Sequence, residues 1–239
     1  MYEMKPIARV YNDFTEKFGI PRQSGLADIP STIVFEPEYR VREAFRGLEQ
    51  YSHIWIIWQF SEAVPKNEQK DSSKNARINQ PQGWSPTVRP PKLGGNKRMG
   101  VFATRSPFRP NSIGLSAVRL EKIDYEAENA PVLHVTGADI MNNTPVFDIK
   151  PYLPYADAYP EASGGFALQN KEGVLKVDFP EGLLCKIPEG SCKGLIEALA
   201  QDPRPSYQRD EERVYTFAFG GVEVSFRVEG ERLLVVGVE

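Results

Sequence analysis

Cysteine and histidine are the scarcest residues in this 239-residue chain, with two of each. Cys185 and Cys192 cannot build a disulfide framework, and no Cys-x-x-Cys pair exists. Reduced thiols in a cytosolic compartment are the expectation. His53 and His134 stand far apart, which nearly excludes a histidine-rich zinc site, so no metal is expected. A hydrolase needing several histidines is excluded with it. Long apolar runs are missing too. The longest, Ile54 to Trp58, falls far short of the roughly 20 residues that span a bilayer. Met1-Tyr2-Glu3-Met4-Lys5 leads into no apolar signal region, so the expected location is cytoplasmic. There is no Gly-x-Gly-x-x-Gly between a strand and a helix, and no phosphate-binding loop. The usual Rossmann route to a nucleotide cofactor is therefore not supported.

What is present is a globular balance, 41% hydrophobic and 26% charged residues. Nineteen glycines and 20 prolines favour short strands and frequent turns. Charge is uneven although the net is only −3. Residues 1–160 hold 20 Lys+Arg against 18 Asp+Glu, and residues 161–239 hold 9 against 14. Residues 66–109 alone carry ten basic and two acidic residues, a net of +8. A basic tract in an otherwise acidic chain suits an anionic partner such as nucleic acid, or is a solvated loop that binds nothing.

Along the chain, Lys5–Tyr11 alternates apolar and polar and reads as a strand, and Thr32–Phe35 as a second. Pro37 opens an expected helix with Val41, Ala44, Phe45 and Leu48 at helical spacing. His53–Phe60 is β-branched and aromatic, expected as a central strand buried on both faces. Ser61 to Trp84 is a long polar loop, expected to be mobile and functional. Strands are expected again at Met99–Thr104, Leu115–Ile123, Val132–Thr136 and Val146–Ile149. About seven strands and one helix in 155 residues suggest a closed or strongly curved sheet, since edges must be covered. A Pro/Gly/Ala linker at 154–165 separates a second unit. That unit has a strand at Val174–Phe179, a helix at Cys192–Ala200 and a closing meander. In the meander's middle strand Val222, Val224, Phe226 and Val228 face inward, with turns expected at Gly220-Gly221 and Glu229-Gly230.

The chemistry concentrates in Arg89–Gly114, RPPKLGGNKRMGVFATRSPFRPNSIG. Arg105 and Arg109 stand four apart with Pro107 and Pro110 stiffening the backbone, a loop suited to carboxylate or phosphate recognition. GVFATRSPFRPNSIGLS resembles the core signature of the TsaA-like family. Residues 17–23 (KFGIPRQ), 51–60 (YSHIWIIWQF), 83–96 (GWSPTVRPPKLGGN), 144–155 (TPVFDIKPYLPY) and 201–207 (QDPRPSY) are similar to the same family, in its order.

The resemblance implies a mainly β fold: a β-barrel methyltransferase domain over residues 1–158, then a small α+β domain over 159–239. It implies S-adenosylmethionine as cofactor, and as substrate tRNA carrying N6-threonylcarbamoyladenosine at position 37 in the anticodon loop. It also implies a homodimer with cofactor sites near the interface. Carried over by motif, the cofactor residues are Pro21, Arg22, Gln23, Ser61, Glu62, Arg105, Leu115 and the run Ile140, Met141, Asn142, Asn143, Thr144. The chain departs from the family twice. Ser61 stands where a histidine is usual, and Asn142-Asn143 where Asp-Gly is usual. Arg109 is the expected reader of the threonine carboxylate, and Lys66, Lys70, Lys74 and Arg77 are expected to hold tRNA. Asp148 is the candidate proton acceptor, with Asp139 the other carboxylate placed by motif and a salt bridge to Lys150 the bland reading of Asp148. Trp84, Tyr152 or Phe108 could stack on the base. The alternatives are a non-catalytic RNA-binding protein using the same basic tract, or a TsaA-like methyltransferase acting on another substrate.

Overall fold

The computed structural model describes residues 3–61, 84–90, 93, 97–169, 174–204 and 210–239. Its strands are β1 Ala8–Tyr11, β2 Pro30–Phe35, β3 His53–Gln59, β4 Thr87–Val88, β5 Met99–Gly100, β6 Ile113–Asp124, β7 Val132–Thr136, β8 Thr144–Pro151, β9 Lys176–Asp178, β10 Tyr215–Phe219, β11 Val222–Glu229 and β12 Arg232–Val238. The α-helices are short: α1 Pro154–Asp157, α2 Gly165–Gln169, α3 Glu181–Leu184 and α4 Cys192–Ala200.

Among the described residues, β1-β2-β7-β6-β3-β8 close into an antiparallel barrel. Closure leaves no barrel edge unpaired, which is how a sheet this short escapes edge-to-edge association. Period-two alternation turns Val10, Ile33, Ile54, Ile56, Leu133 and Val146 into the barrel, all fully buried. Phe45 packs edge-on against Phe35 at 4.8 Å and joins the same core.

The second unit is a four-stranded sheet, β10-β11-β12-β9, with β9 parallel to β12. α4 lays Leu195, Ala198 and Leu199 into its core. That core takes in Phe14, Ala27 and Ile29 from the start of the chain, and Phe14 bridges Phe219. The two units are thus joined by apolar burial as well as by the linker.

Several expectations are corrected. Residues 37–50 are not one helix but three 3₁₀ turns, Pro37–Tyr39, Arg42–Phe45 and Leu48–Gln50. Val41 is extended between the first two, and Gly47 at φ +90° interrupts before the third. Only Phe45 of Arg42–Phe45 is buried, so packing does not sustain a longer helix. Met99–Thr104 is a two-residue strand followed by a 3₁₀ turn, because its partner β4 is itself two residues long. β3 is buried on one face only: Ile54, Ile56 and Trp58 point in, while Trp55, Ile57 and Gln59 are half-buried and His53 exposed. The final hairpin turns at Gly230-Glu231, since Glu229 pairs with Arg232. Most of the expected Ser61–Trp84 loop lies outside the described residues. β11 alternates as expected.

Candidate active site

One end of the barrel opens into a cavity of about 670 Å³. Trp58, Phe60, Ile113, Gly114 and Leu115 come from the ends of β3 and β6, Asp139 and Met141 from the β7–β8 connection, and Thr144 from the start of β8. Lys17 and Ile20 to Gln23 form one rim, and Thr104, Arg105 and Pro107 to Arg109 another. Trp58 leans on Phe60 at 4.2 Å between centroids. It also packs against Gly114, where any β-carbon would collide with the indole. Glycine at 114 is therefore a condition of the tryptophan's position.

A polar relay runs from this aromatic floor. Trp58 Nε1 donates to Ser116 Oγ at 3.0 Å, and Ser116 Oγ donates to Asp139 Oδ1 at 2.5 Å. Burial is the largest influence on Asp139 and raises its pKa. The Ser116 hydroxyl, the Asp139 and Ser24 N–H groups and the charge of Arg105 pull the other way. A carboxylate whose affinity for a proton is raised by burial in a cavity is a candidate proton acceptor.

The arginines are arranged by hydrogen bonds. Arg105 Nη1 donates to Gln23 Oε1 at 2.5 Å, and Gln23 Nε2 donates to the Arg22 carbonyl at 2.5 Å. Arg109 Nη1 donates to the Thr104 carbonyl at 2.7 Å, and the Arg109 Cζ lies 6.0 Å from the Phe102 ring centroid. Arg22 Nη2 donates to the Arg204 carbonyl at 2.9 Å. Its Nη1 is buried without a partner among the described residues.

Of the residues read by motif, Pro21, Arg22, Gln23, Ser61, Arg105, Leu115, Met141, Thr144 and Arg109 meet at this cavity. Ile140, Asn142 and Asn143 do not line it. Ile140 is fully buried in the barrel core. Asn142 Oδ1 accepts from the Asn12 N–H at 3.1 Å, and the Asn143 N–H donates to the Val10 carbonyl at 2.7 Å. These two asparagines pin the β7–β8 connection to the end of β1. Asn143 takes φ +63°, a region asparagine tolerates better than most residues. Asp148 also lies outside the cavity: it is 45% exposed and faces Lys150 at 3.1 Å. Glu62, Lys66, Lys70, Lys74 and Arg77 lie outside the described residues. Trp84 does not line the cavity, and Tyr152 reaches it only through Trp55, 5.5 Å away. The reading by motif missed Lys17, Trp55, Trp58 and Phe60 as walls. The 51–60 motif and its apolar run were the signals available for the three aromatics.

Among the described residues no helix is long and apolar enough to cross a membrane. No group of three or more His, Cys, Asp or Glu among them could hold a metal ion. A closed antiparallel barrel with an aromatic-floored, arginine-rimmed cavity at one end defines a small-molecule-binding barrel distinct from the doubly wound nucleotide folds. Comparison with known proteins narrows that class. Residues 9–158 match the tRNA-methyltransferase O N-terminal domain and residues 176–239 the TrmO C-terminal domain. The chain belongs to the tRNA-methyltransferase O (TrmO) family. It is 38% identical to a tRNA (adenine(37)-N6)-methyltransferase of Escherichia coli over 91% of this chain and 88% of that one. It is 42% identical to one of Eikenella corrodens over 79% of this chain and 97% of that one. A crystal structure of TrmO from Pseudomonas aeruginosa superposes with a TM-score of 0.76 at 30% identity, covering 100% of this chain and 99% of that one.

Proposed function

We infer that this chain is an S-adenosylmethionine-dependent methyltransferase acting on N6 of adenosine 37 of tRNA, and that its substrate adenosine already carries the threonylcarbamoyl group. The observation that carries this reading is the cavity itself, with Asp139 on its wall and Arg22, Arg105 and Arg109 at its rim, in a chain of this family. Its volume suits a nucleoside-sized ligand, and its lining is mainly apolar with a few converging polar groups. The buried Nη1 of Arg22, without a partner among the described residues, fits a ligand that brings a carboxylate.

When bound, the cofactor supplies a methyl group on a cationic sulfur. An arginine beside that sulfur would oppose binding, so the arginines are assigned to anions: Arg22 and Arg105 to the cofactor carboxylate, Arg109 to the threonine carboxylate. Pro21, Gln23, Ser61, Leu115, Met141 and Thr144 shape the remaining cofactor contacts. Asp139, not Asp148, is our candidate proton acceptor, because N6 in a urea-like group is a poor nucleophile until it loses its proton. Positioning of N6 against the methyl supplies much of the rate.

The basic residues Lys66, Lys70, Lys74 and Arg77 are proposed to hold the anticodon arm. Exposed Phe102, Phe108 and Leu115 near the cavity support a homodimer or a base-stacking surface there. The division at residues 158 and 159 and a cytoplasmic location complete the reading. The test is nucleoside mass spectrometry of tRNA from a deletion strain. It should lose one N6-methylated, threonylcarbamoylated nucleoside and regain it on complementation. An unchanged nucleoside profile would refute the assignment.

A further inference from the structure

The segment from Lys17 to Gln23 precedes β2 in the chain, yet the second unit holds it. Phe18 packs on the rings of Tyr215, Phe217 and Phe226 at 6.2, 6.0 and 6.2 Å. Gly19, at φ +92°, lies so close to Phe217 that a β-carbon would come within 2.6 Å of that ring. Three residues on, Arg22 reaches the Arg204 main-chain carbonyl, 182 positions away in sequence.

That carbonyl is itself held in place. Asp202 Oδ1 and Oδ2 accept from Arg204 Nε and Nη2, both at 2.9 Å, and Oδ1 accepts the Arg204 main-chain N–H at 3.3 Å. The two side chains are only 21% and 11% exposed, so this is a forked, part-buried clamp and not a solvated surface pair. Asp202 takes φ +50°, a conformation that aspartate and asparagine tolerate better than other side chains. Beside it a cleft of about 350 Å³ shares Lys17, Ile20, Pro21 and Arg22 with the main cavity.

We propose that Asp202 and Arg204 are positioning residues for the reaction. The clamp fixes the Arg204 carbonyl, the carbonyl fixes the Arg22 guanidinium, and the C-terminal unit thereby sets one rim of a cavity that it does not itself line. The choice of acceptor matters. A carboxylate on Arg22 would neutralise it, whereas a carbonyl takes one N–H and leaves the charge for an incoming anion. The Asp202 carboxylate is engaged by Arg204. Ordering a long side chain before the ligand arrives also removes part of the entropy cost from binding.

The inference rests on the reading that the cavity takes the cofactor and the modified base. It is tested on the full-length chain by a double-mutant cycle. The affinity for S-adenosylmethionine is measured by calorimetry, and KM and kcat with threonylcarbamoylated tRNA. Arg22→Ala should weaken cofactor affinity or raise KM by about tenfold or more, the usual loss for a charge-assisted hydrogen bond. Asp202→Ala should weaken the same constant, and the double variant should be no worse than Arg22→Ala alone. Asp202→Asn, which keeps an acceptor and accepts the same backbone conformation, should restore most of the loss. If Asp202→Ala does not fold, Arg204→Lys enters the cycle in its place and should behave alike. Additive losses, or a lowered melting temperature with both constants unchanged, would overturn the positioning role while leaving the cavity reading intact. Wild-type constants in Arg22→Ala would overturn the cavity reading, and the positioning role with it.

Discussion

Stability and chemistry pull Asp139 in opposite directions. Burial raises its pKa, so the folded state disfavours its ionised form. The stability it contributes is fully present below the unfolded value, about 3.9, and is lost as pH rises through the folded value. Asp139→Asn keeps an acceptor for Ser116 but never ionises. Its melting temperature should exceed that of the parent at pH 7 and match it near pH 3. The same variant should lose roughly 10²- to 10⁴-fold in kcat if Asp139 takes the proton from N6. A variant as active as the parent would remove Asp139 from that role. Arg105 makes the complementary case. It is exposed on its loop and its guanidinium bonds the Gln23 side chain at the rim, outside both apolar cores, so it contributes little to packing. Arg105→Ala should weaken cofactor binding with the melting curve unmoved, and calorimetry beside thermal melts checks both halves. Asp139 and Asp148 also mark how far motif reading reaches for single residues. Both carboxylates sit in motifs, and only the fold separates the one on the cavity wall from the one paired with Lys150.

At the level of elements, the best-read segment is β11, because one of its faces is solvated and alternation then follows directly from burial. β3 misled because its outward residues Trp55 and Ile57 are apolar too: Trp55 lines the cavity, and its indole N–H donates to Asp157 at 2.9 Å. A strand whose outward residues also line a cavity looks, in sequence, like one buried on both faces. The 37–50 segment misled for another reason. Apolar residues three and four apart suit successive 3₁₀ turns as well as a helix, and the interruption at Gly47 is a backbone event. The junction of β3 and β6 yields a prediction. Gly114 and Trp58 are direct partners in the ladder, and the indole occupies the space a side chain at 114 would need. Gly114→Ala should cost about 1–3 kcal/mol by overpacking. It should also tilt Trp58 and weaken cofactor binding. Denaturant unfolding with tryptophan fluorescence reads both, and wild-type stability in that variant would contradict the geometry.

Across the whole molecule, the contiguous stretches were legible and the long-range closures were not. Pro21–Gln23 and Thr104–Arg109 each carry their chemistry within a few residues, so motif alone brought them to the cavity. The tie from Arg22 to Arg204 joins positions 182 apart, and the sharing of Phe14, Ala27 and Ile29 with the C-terminal core depends on how two sheets dock. Neither leaves a local pattern to read. The charge distribution is a property of the same scale. Neutralising Lys66, Lys70, Lys74 and Arg77 together should weaken tRNA binding and flatten its salt dependence by roughly 0.7–0.9 log units for each phosphate no longer neutralised. Cofactor affinity should hold, and an unchanged salt slope would mean that these residues do not touch the RNA. The central claim is methyl transfer to N6 of a threonylcarbamoylated adenosine 37, and one assay meets it directly. Purified protein is incubated with methyl-labelled S-adenosylmethionine and two forms of one tRNA transcript, with and without prior threonylcarbamoylation. The account predicts label on N6 of the modified nucleoside and a rate lower by about tenfold or more on the plain transcript, which leaves a guanidinium without its anion. Equal rates on the two transcripts, or cofactor and tRNA binding with no transfer to either, would contradict it.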